Sequence, residues 1–320
     1  MSRLLPSVFI YLALIMSAQG QGKKILDLNG QWKFTIGDKD RYSKPSYDDS
    51  DWETIYAPDT WENQGFPNYD GYGWYRKTFK GSQLQYVNNL ILNLGFIDDV
   101  HEVYFNGELI GFKGSFPPNF YTAYDALNQY SIPPYLINKF GDNTIAIKVY
   151  DVYREGGCVK GDMGIYYLPI FDQEVYSLSG VWKFTRNTEY NWKKPDFDDE
   201  NWENILVPGK WREKYIKNGM GFGWYRKTFK VPKHLKGEEL DLVLGYIDDF
   251  DVTYVNGEFV GQTKDNQRFG NTNSWQQLRI YRIPADLLNE DGENVIAIQV
   301  EDLGIDAGIY KGPIGLMKVE

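Results

Sequence analysis

The chain repeats itself once, and that repeat constrains the fold more than any other feature of its 320 residues. Gly30-Gln31-Trp32-Lys33-Phe34-Thr35 returns as Gly180-Val181-Trp182-Lys183-Phe184-Thr185. Asp48-Asp49 and Trp52-Glu53 return as Asp198-Asp199 and Trp202-Glu203, and the octapeptide Gly73 to Lys80 recurs unchanged at Gly223 to Lys230. Gly95-Phe96-Ile97-Asp98-Asp99, followed by Asn106-Gly107-Glu108, matches Gly245-Tyr246-Ile247-Asp248-Asp249 and Asn256-Gly257-Glu258. These matches share one offset of 150 residues. Solenoid units are far shorter, roughly 20–50 residues, so a period this long means a duplicated domain.

Past the Asn-Gly pairs the offset drifts. Tyr130-Ser131-Ile132-Pro133 pairs with Tyr281-Arg282-Ile283-Pro284 at 151, and Asn143 to Val149 pairs with Asn294 to Val300 at the same spacing. Gly164-Ile165-Tyr166 pairs with Gly308-Ile309-Tyr310 at 144, which predicts an insertion or deletion near each repeat's end, where loops tolerate it. The boundary is expected near Phe171–Val175, giving a first domain over 21–172 and a second over 173–320, each of ordinary size.

Within each repeat the pattern is β. Leu90 to Leu94 and Leu240 to Leu244 read as strands, and Thr144 to Tyr150 and Val295 to Val300 as apolar strands ending in Asp151 and Asp302. Val103 to Ile110 reads as a hairpin, because Asn-Gly is the pair whose positive φ values suit a type I′ turn. Helical periodicity is confined to short turns near Tyr135–Asn138 and Asp286–Asn289. An aromatic content of 17% and 32 glycines fit an all-β fold with many tight turns. Two sandwiches are expected rather than α/β units.

The first 20 residues read as an export signal: Arg3, the apolar stretch Leu4 to Met16, then small residues at Ala18 and Gly20. The expected location is therefore periplasmic or secreted. The apolar stretch is short for a bilayer, and no membrane span is expected. The single cysteine, Cys158, allows no intramolecular disulfide. A net charge of −10 argues against nucleic acid as a partner, because phosphate rewards clustered Lys and Arg.

Taken in order, Trp-Tyr-Arg-Lys-Thr-Phe, Gly-x-Ile-Asp-Asp, Tyr-x-Asn-Gly-x-x-x-Gly, Asn-x-Ile-Ala-Ile-x-Val and Gly-Ile-Tyr resemble the sugar-binding jelly-roll domain of glycoside hydrolase family 2. The second repeat, with Gly245 to Gly261 and Arg279 to Ala285, is similar also to the jelly-roll insert of bacterial sialate O-acetylesterases. The resemblance implies two tandem jelly-roll β-sandwich domains, galactose-binding-domain-like. In the hydrolases the catalytic carboxylates lie on a TIM barrel, and in the esterases the nucleophile sits in a Gly-Asp-Ser motif. Neither has a counterpart among these residues, nor does a Gly-x-Ser-x-Gly elbow. The resemblance also nominates Asp162 and Asp306, which precede Gly-Ile-Tyr in their copies, as polar sugar contacts.

The repeat itself sorts the other candidates. Trp32/Trp182, Trp52/Trp202, Trp61/Trp211 and Trp74/Trp224 are shared by both copies, so packing is their expected role, and only Trp192 and Trp275 are unmatched. Trp275 lies in the polar stretch 262–277 after the second hairpin, and the matching stretch 113–129 carries Phe116, Phe120, Tyr121 and Tyr124. Loops that differ between copies yet stay aromatic are the binding candidates, since sugar CH faces pack on rings. Asp98-Asp99 and Asp248-Asp249 read as structural, because neighbouring strand residues face opposite sides and their carboxylates should diverge. Arg76 and Arg226 read as ion-pair residues. His101 and His234 occupy different places in the two copies and offer no metal-ligand spacing.

The expected function is non-catalytic: an exported protein that binds a glycan or a glycan-degrading enzyme, with no cofactor, no metal and no catalytic residues. A glycosidase, lyase or esterase with a site between the sandwiches is the alternative from another class. A structural interaction module without glycan affinity is the third.

Overall fold

The computed structural model describes residues 22–124, 126–168, 175–186, 188–211, 221–264, 272–304 and 307–319. The proposed signal and the proposed domain boundary therefore lie outside the described residues.

In the first repeat, β1 (Lys23–Asp27), β5 (Leu90–Asp98), β8 (Leu127–Ile132) and β10 (Gly157–Tyr167) form one sheet in the order β1-β10-β5-β8. Strands β2 (Gly30–Ile36), β3 (Glu53–Ala57), β4 (Gly71–Lys80), β6 (Val100–Phe105), β7 (Glu108–Lys113) and β9 (Asp142–Asp151) form the other, in the order β3-β2-β4-β9-β6-β7. The second repeat copies this. Its strands β11 (Val175–Ser177), β15 (Leu240–Asp248), β18 (Leu278–Ile283), β20 (Gly308–Lys311) and β21 (Gly315–Lys318) make the smaller sheet. The larger one holds β12 (Gly180–Thr185), β13 (Glu203–Val207), β14 (Gly221–Phe229), β16 (Phe250–Val255), β17 (Glu258–Thr263) and β19 (Asn294–Asp302). The fold is all-β, two tandem sandwiches of the jelly-roll kind. The recurring octapeptides both lie on the strand between β2 and β9 or its equivalent, β4 and β14.

Each core lies between the two sheets and is filled by alternate residues. Leu90, Leu92 and Leu94 on β5 face Trp32, Phe34, Tyr75 and Ile147 from the larger sheet, all of them buried. Leu240, Leu242 and Leu244 meet Trp182, Phe184, Tyr225 and Ile298 in the second copy. The Trp32 and Trp182 indoles each donate to a backbone carbonyl, of Leu28 and Leu178, at 2.9 Å, so burial leaves no polar atom of either ring unpaired. At the hairpin tips, Asn106 and Gly107 have φ of 50° and 84°, and Asn256 and Gly257 of 48° and 87°, the positive pair a two-residue turn requires. Gly111 and Gly261 are needed for space: a Cβ on either would lie 2.1 Å from the ring of Tyr130 or Tyr281.

The buried arginines hold the two larger sheets to their flanking loops. Arg76 donates to the Asp49 carboxylate at 2.7 Å and to the carbonyls of Tyr42, Lys44 and Tyr47. Arg226 repeats the set with Asp199, Trp192, Lys194 and Phe197. A guanidinium can be fully buried only when its fork of donors is satisfied, and here one carboxylate and three carbonyls do so.

Strand register corrects one sequence alignment. Gly157 pairs with Asp98 and Gly308 with Asp248, while Gly164 pairs with Asn93 and Gly315 with Val243. The offset therefore stays at 151 to the end of the repeat, and Gly164-Ile165-Tyr166 corresponds to Gly315-Leu316-Met317, not to Gly308-Ile309-Tyr310. Three residues are too short a match to fix a register that the hydrogen-bond ladder decides. What differs between copies is a break: β10 is continuous, whereas its counterpart divides into β20 and β21 around Pro313, which has no N–H to give the ladder.

The sandwiches touch. Leu206 of the second packs against the first core, Gly180 approaches Pro133, and Lys227 lies in the field of Glu108. Among the described residues no helix is long and apolar enough to cross a membrane.

Candidate functional site

The face of the smaller first sheet that turns away from the core carries polar side chains in register. Lys24 lies opposite Tyr166, Tyr166 opposite Ile91, and Ile91 opposite Ser131; one rung on, Asn93 lies opposite Gln129. Alternation that sends Leu90, Leu92 and Leu94 inward necessarily sends Ile91 and Asn93 outward. The second sandwich stands over this face with Gly180, Leu206, Val207 and Pro208, and the two enclose an open cleft of about 750 Å³.

Asp162 lines that cleft. Its carboxylate accepts hydrogen bonds from Lys24 at 2.6 Å, from Asn29 at 2.9 Å and from the Tyr166 hydroxyl. The Lys24 hydrogen bond, with those from Tyr166 and Asn29, holds the carboxyl at about 2, so it is ionised at any physiological pH. It is the one carboxylate lining the cleft among the described residues. Hydrogen-bonded carboxylate, amide and hydroxyl groups beside an apolar wall suit a polyhydroxylated ligand. Asp306, its proposed partner, lies outside the described residues, and the register makes Pro313 the counterpart of Asp162.

The aromatic candidates lie elsewhere: Phe116 and Phe120 pack over β4 and β9 of the larger first sheet, and the Trp275 turn sits against the smaller second sheet. Phe116 stacks on Tyr72 with centroids 5.8 Å apart, Phe120 meets Tyr150 edge-on at 5.9 Å, and Lys148 sits 4.9 Å from the rings of both Tyr72 and Phe116. Phe116 and Phe120 are thus brought together around Tyr150, whereas Tyr121 and Tyr124 are 61% and 57% exposed. In the second copy, Trp275 is 41% exposed on a 3-10 turn (Ser274–Gln276), and its carbonyl accepts the Tyr310 hydroxyl at 2.7 Å. The structure does not gather the sequence candidates into one site: Asp162 belongs to the cleft, Phe116 and Phe120 to a loop over the larger first sheet, and Trp275 to a turn beside the smaller second sheet.

The repeated tryptophans are buried, with Trp202 half-buried. Unmatched Trp192 is also a packing residue: it meets Trp202 and Trp224 as Tyr42 meets Trp52 and Trp74 in the first copy.

The paired aspartates depart from the sequence reading. Asp98 ends β5 and Val100 begins β6, so Asp99 occupies the corner where the chain passes between sheets, and strand alternation does not govern it. Carboxylate oxygens of Asp98, Asp99 and Asp151 lie within 4.8 Å of one another, and those of Asp248, Asp249 and Asp302 do the same. The carboxylates converge rather than diverge. Burial, then the neighbouring carboxylates, raise Asp98 and Asp151 each to about 7. The sequence signal that could have revealed this is the apolar strand ending in Asp151 or Asp302, kept in both copies.

Comparison with known proteins follows the same lines. Residues 188–306 match the family model described as the beta-galactosidase second all-beta domain. The second sandwich is a domain like the sugar-binding domain of glycoside hydrolase family 2. A Formosa agariphila relative with a provisional beta-glucuronidase name is 33% identical over 135 residues, 38% of this chain and 12% of the relative. A beta-galactosidase of Bacteroides ovatus is 26% identical over 153 residues, 44% of this chain and 17% of the relative. A solved Bacteroides uniformis beta-glucuronidase 2 is 17% identical, covering 89% of this chain and 28% of its own, with a TM-score of 0.37. The chain thus spans less than a fifth of the length of these two curated relatives. The first sandwich repeats the same architecture, and the cleft beside Asp162 lies between the two.

Proposed function

We propose that this chain is an exported, non-catalytic carbohydrate-binding protein whose first sandwich takes a glycan in the cleft beside Asp162. The observation that carries the reading is the outward face of the smaller sheet, where Lys24, Asn93, Gln129, Asp162 and Tyr166 converge on a space of about 750 Å³. Its similarity to parts of beta-galactosidases and beta-glucuronidases supports a sugar as the ligand class. A binding role is favoured over hydrolysis in this cleft, because the usual glycosidase chemistry uses two carboxyl groups with opposed protonation states. Asp162 is one carboxylate held fully ionised.

Trp275, Tyr121 and Tyr124 form a second, independent proposal, as exposed rings for sugar stacking. An accessory role beside a glycan-degrading enzyme is supported by the likeness of this chain to an all-beta domain of beta-galactosidases.

A glycan array identifies the sugar, and calorimetry on Asp162→Ala and Trp275→Ala then separates cleft from loop. Loss of binding in Asp162→Ala, with the fold intact, supports the cleft. Unchanged affinity in that variant overturns it.

A further inference from the structure

Asp151, at the end of β9, is a fully buried carboxylate with an unpaired oxygen among the described residues. Among those residues its Oδ1 accepts a long hydrogen bond from the Tyr153 backbone at 3.4 Å and its Oδ2 has no hydrogen-bond partner. A buried carboxylate oxygen left in that state costs on the order of 1–3 kcal/mol or more. The carboxylate is turned into the cluster it shares with Asp98 and Asp99, with oxygens of all three within 4.8 Å.

The charges around these groups add to the repulsion among them. The charges that act most strongly on Asp98 and Asp151 are further carboxylates, Glu155 and Asp70 among them. Asp99 is only partly satisfied by neutral donors: the Thr122 hydroxyl on Oδ1 and the Val152 backbone N–H on Oδ2 at 3.4 Å. Asp98 is half-exposed and leaves one side of the cluster open to water.

We propose that Asp98, Asp99 and Asp151 form a calcium site. Three carboxylates and no nitrogen or sulfur donor make an oxygen-only ligand set, which suits a hard cation rather than zinc or copper. Three carboxylates with Asp98 partly exposed leave room for water to complete a larger shell, which favours Ca²⁺, accepting six to eight oxygens flexibly, over Mg²⁺, which demands a small octahedron. The ion neutralises the cluster and gives Asp151 Oδ2 its missing partner. It also bears on the aromatic loop, because Asp99 holds that loop through the Thr122 hydroxyl and through its own carbonyl, which accepts the Ala123 N–H at 3.2 Å. The same three positions recur in the second copy as Asp248, Asp249 and Asp302.

The whole chain, stripped with EGTA and returned to neutral pH, is titrated with CaCl₂ by calorimetry and by thermal melting. Saturable binding with a rise in Tm is expected, with a much weaker response to MgCl₂. In Asp151→Asn the number of Ca²⁺ bound falls by one per chain. Asp98→Asn, at a half-exposed position, gives the same loss if Asp151→Asn does not fold. The proposal is overturned if the stripped chain binds no Ca²⁺ up to about 10 mM, well above the range of extracellular calcium modules. It is equally overturned if a folded variant binds as many ions as the parent. A Tm that ignores Ca²⁺ and rises only on acidification identifies shared protons, not a cation, as what the cluster holds.

Discussion

Arg279 and Asp251 are both wholly buried and joined by a 3.0 Å ion pair in the core of the second sandwich. Arg279 also donates to the carbonyls of Ser274, Gln277 and Asp249, and the Tyr281 hydroxyl donates to Asp251 at 2.9 Å. The pair thereby ties the Trp275 turn to the corner that carries Asp249. In the first sandwich, register puts His101, Tyr130 and Asn128 at the corresponding places. There a neutral set, His101 to Tyr130 at 2.7 Å and Tyr130 to Asn128 at 3.3 Å, replaces the charged one. One fold thus accommodates two solutions, each matched in charge within itself.

Breaking the charged set should be costly. Asp251→Asn leaves the Arg279 guanidinium buried without its counter-charge, a loss expected at about 3–5 kcal/mol. Asp251→His alone carries the same penalty, and adding Arg279→Asn to it rebuilds the neutral set of the first copy and should recover part of that loss. Denaturant unfolding of the single and double variants measures the coupling, and strict additivity would refute it.

Lys227 gives a pH signature to the junction of the sandwiches. Burial depresses its ammonium to about 8, against an ordinary value of 10.5. Between those two pH values the unfolded chain binds the proton more tightly than the folded one, so this residue's contribution to stability rises as pH increases through the window. Below about 8 the folded chain carries the penalty of a buried charge. Lys227→Met should be more stable than the parent near neutral pH, with the difference shrinking toward pH 10.5. Unfolding free energies of both proteins across that range test it.

The shared and unshared tryptophans should separate cleanly. Trp32→Ala or Trp182→Ala removes a buried indole and should cost about 3–5 kcal/mol. Trp275→Ala should leave Tm nearly unchanged and weaken sugar binding by about 1–3 kcal/mol, the scale seen for stacking on aromatics. Thermal melts and calorimetry on a bound glycan decide; a Trp275→Ala chain that unfolds, or binds as the parent does, refutes the loop assignment.

Export predicts a mature N-terminus near residue 21. Mass spectrometry of protein purified from its native host should find residues 1 to about 20 missing. Detection of Met1 on that material would count against an export signal.

The sequence by itself determined the duplication, the all-β class and the packing role of the eight shared tryptophans, while the packing role of unmatched Trp192 came from the structure. Those features are written in the repeat, in alternation and in turn pairs, each of which is read along the chain with no knowledge of which strands pair. It also identified Arg76 and Arg226 as ion-pair residues, because a charge repeated inside an apolar strand must find a counter-charge. Only the tertiary structure decided the rest. Register showed that Gly-Ile-Tyr aligns two different parts of the smaller sheet, since hydrogen bonding across strands, not local identity, fixes which residues face each other. The corner between β5 and β6 brought Asp98 and Asp99 together with Asp151, more than fifty residues away in the chain. The cleft beside Asp162 exists because residues from both sandwiches wall it, and contact between separate cores is a property that no single segment encodes.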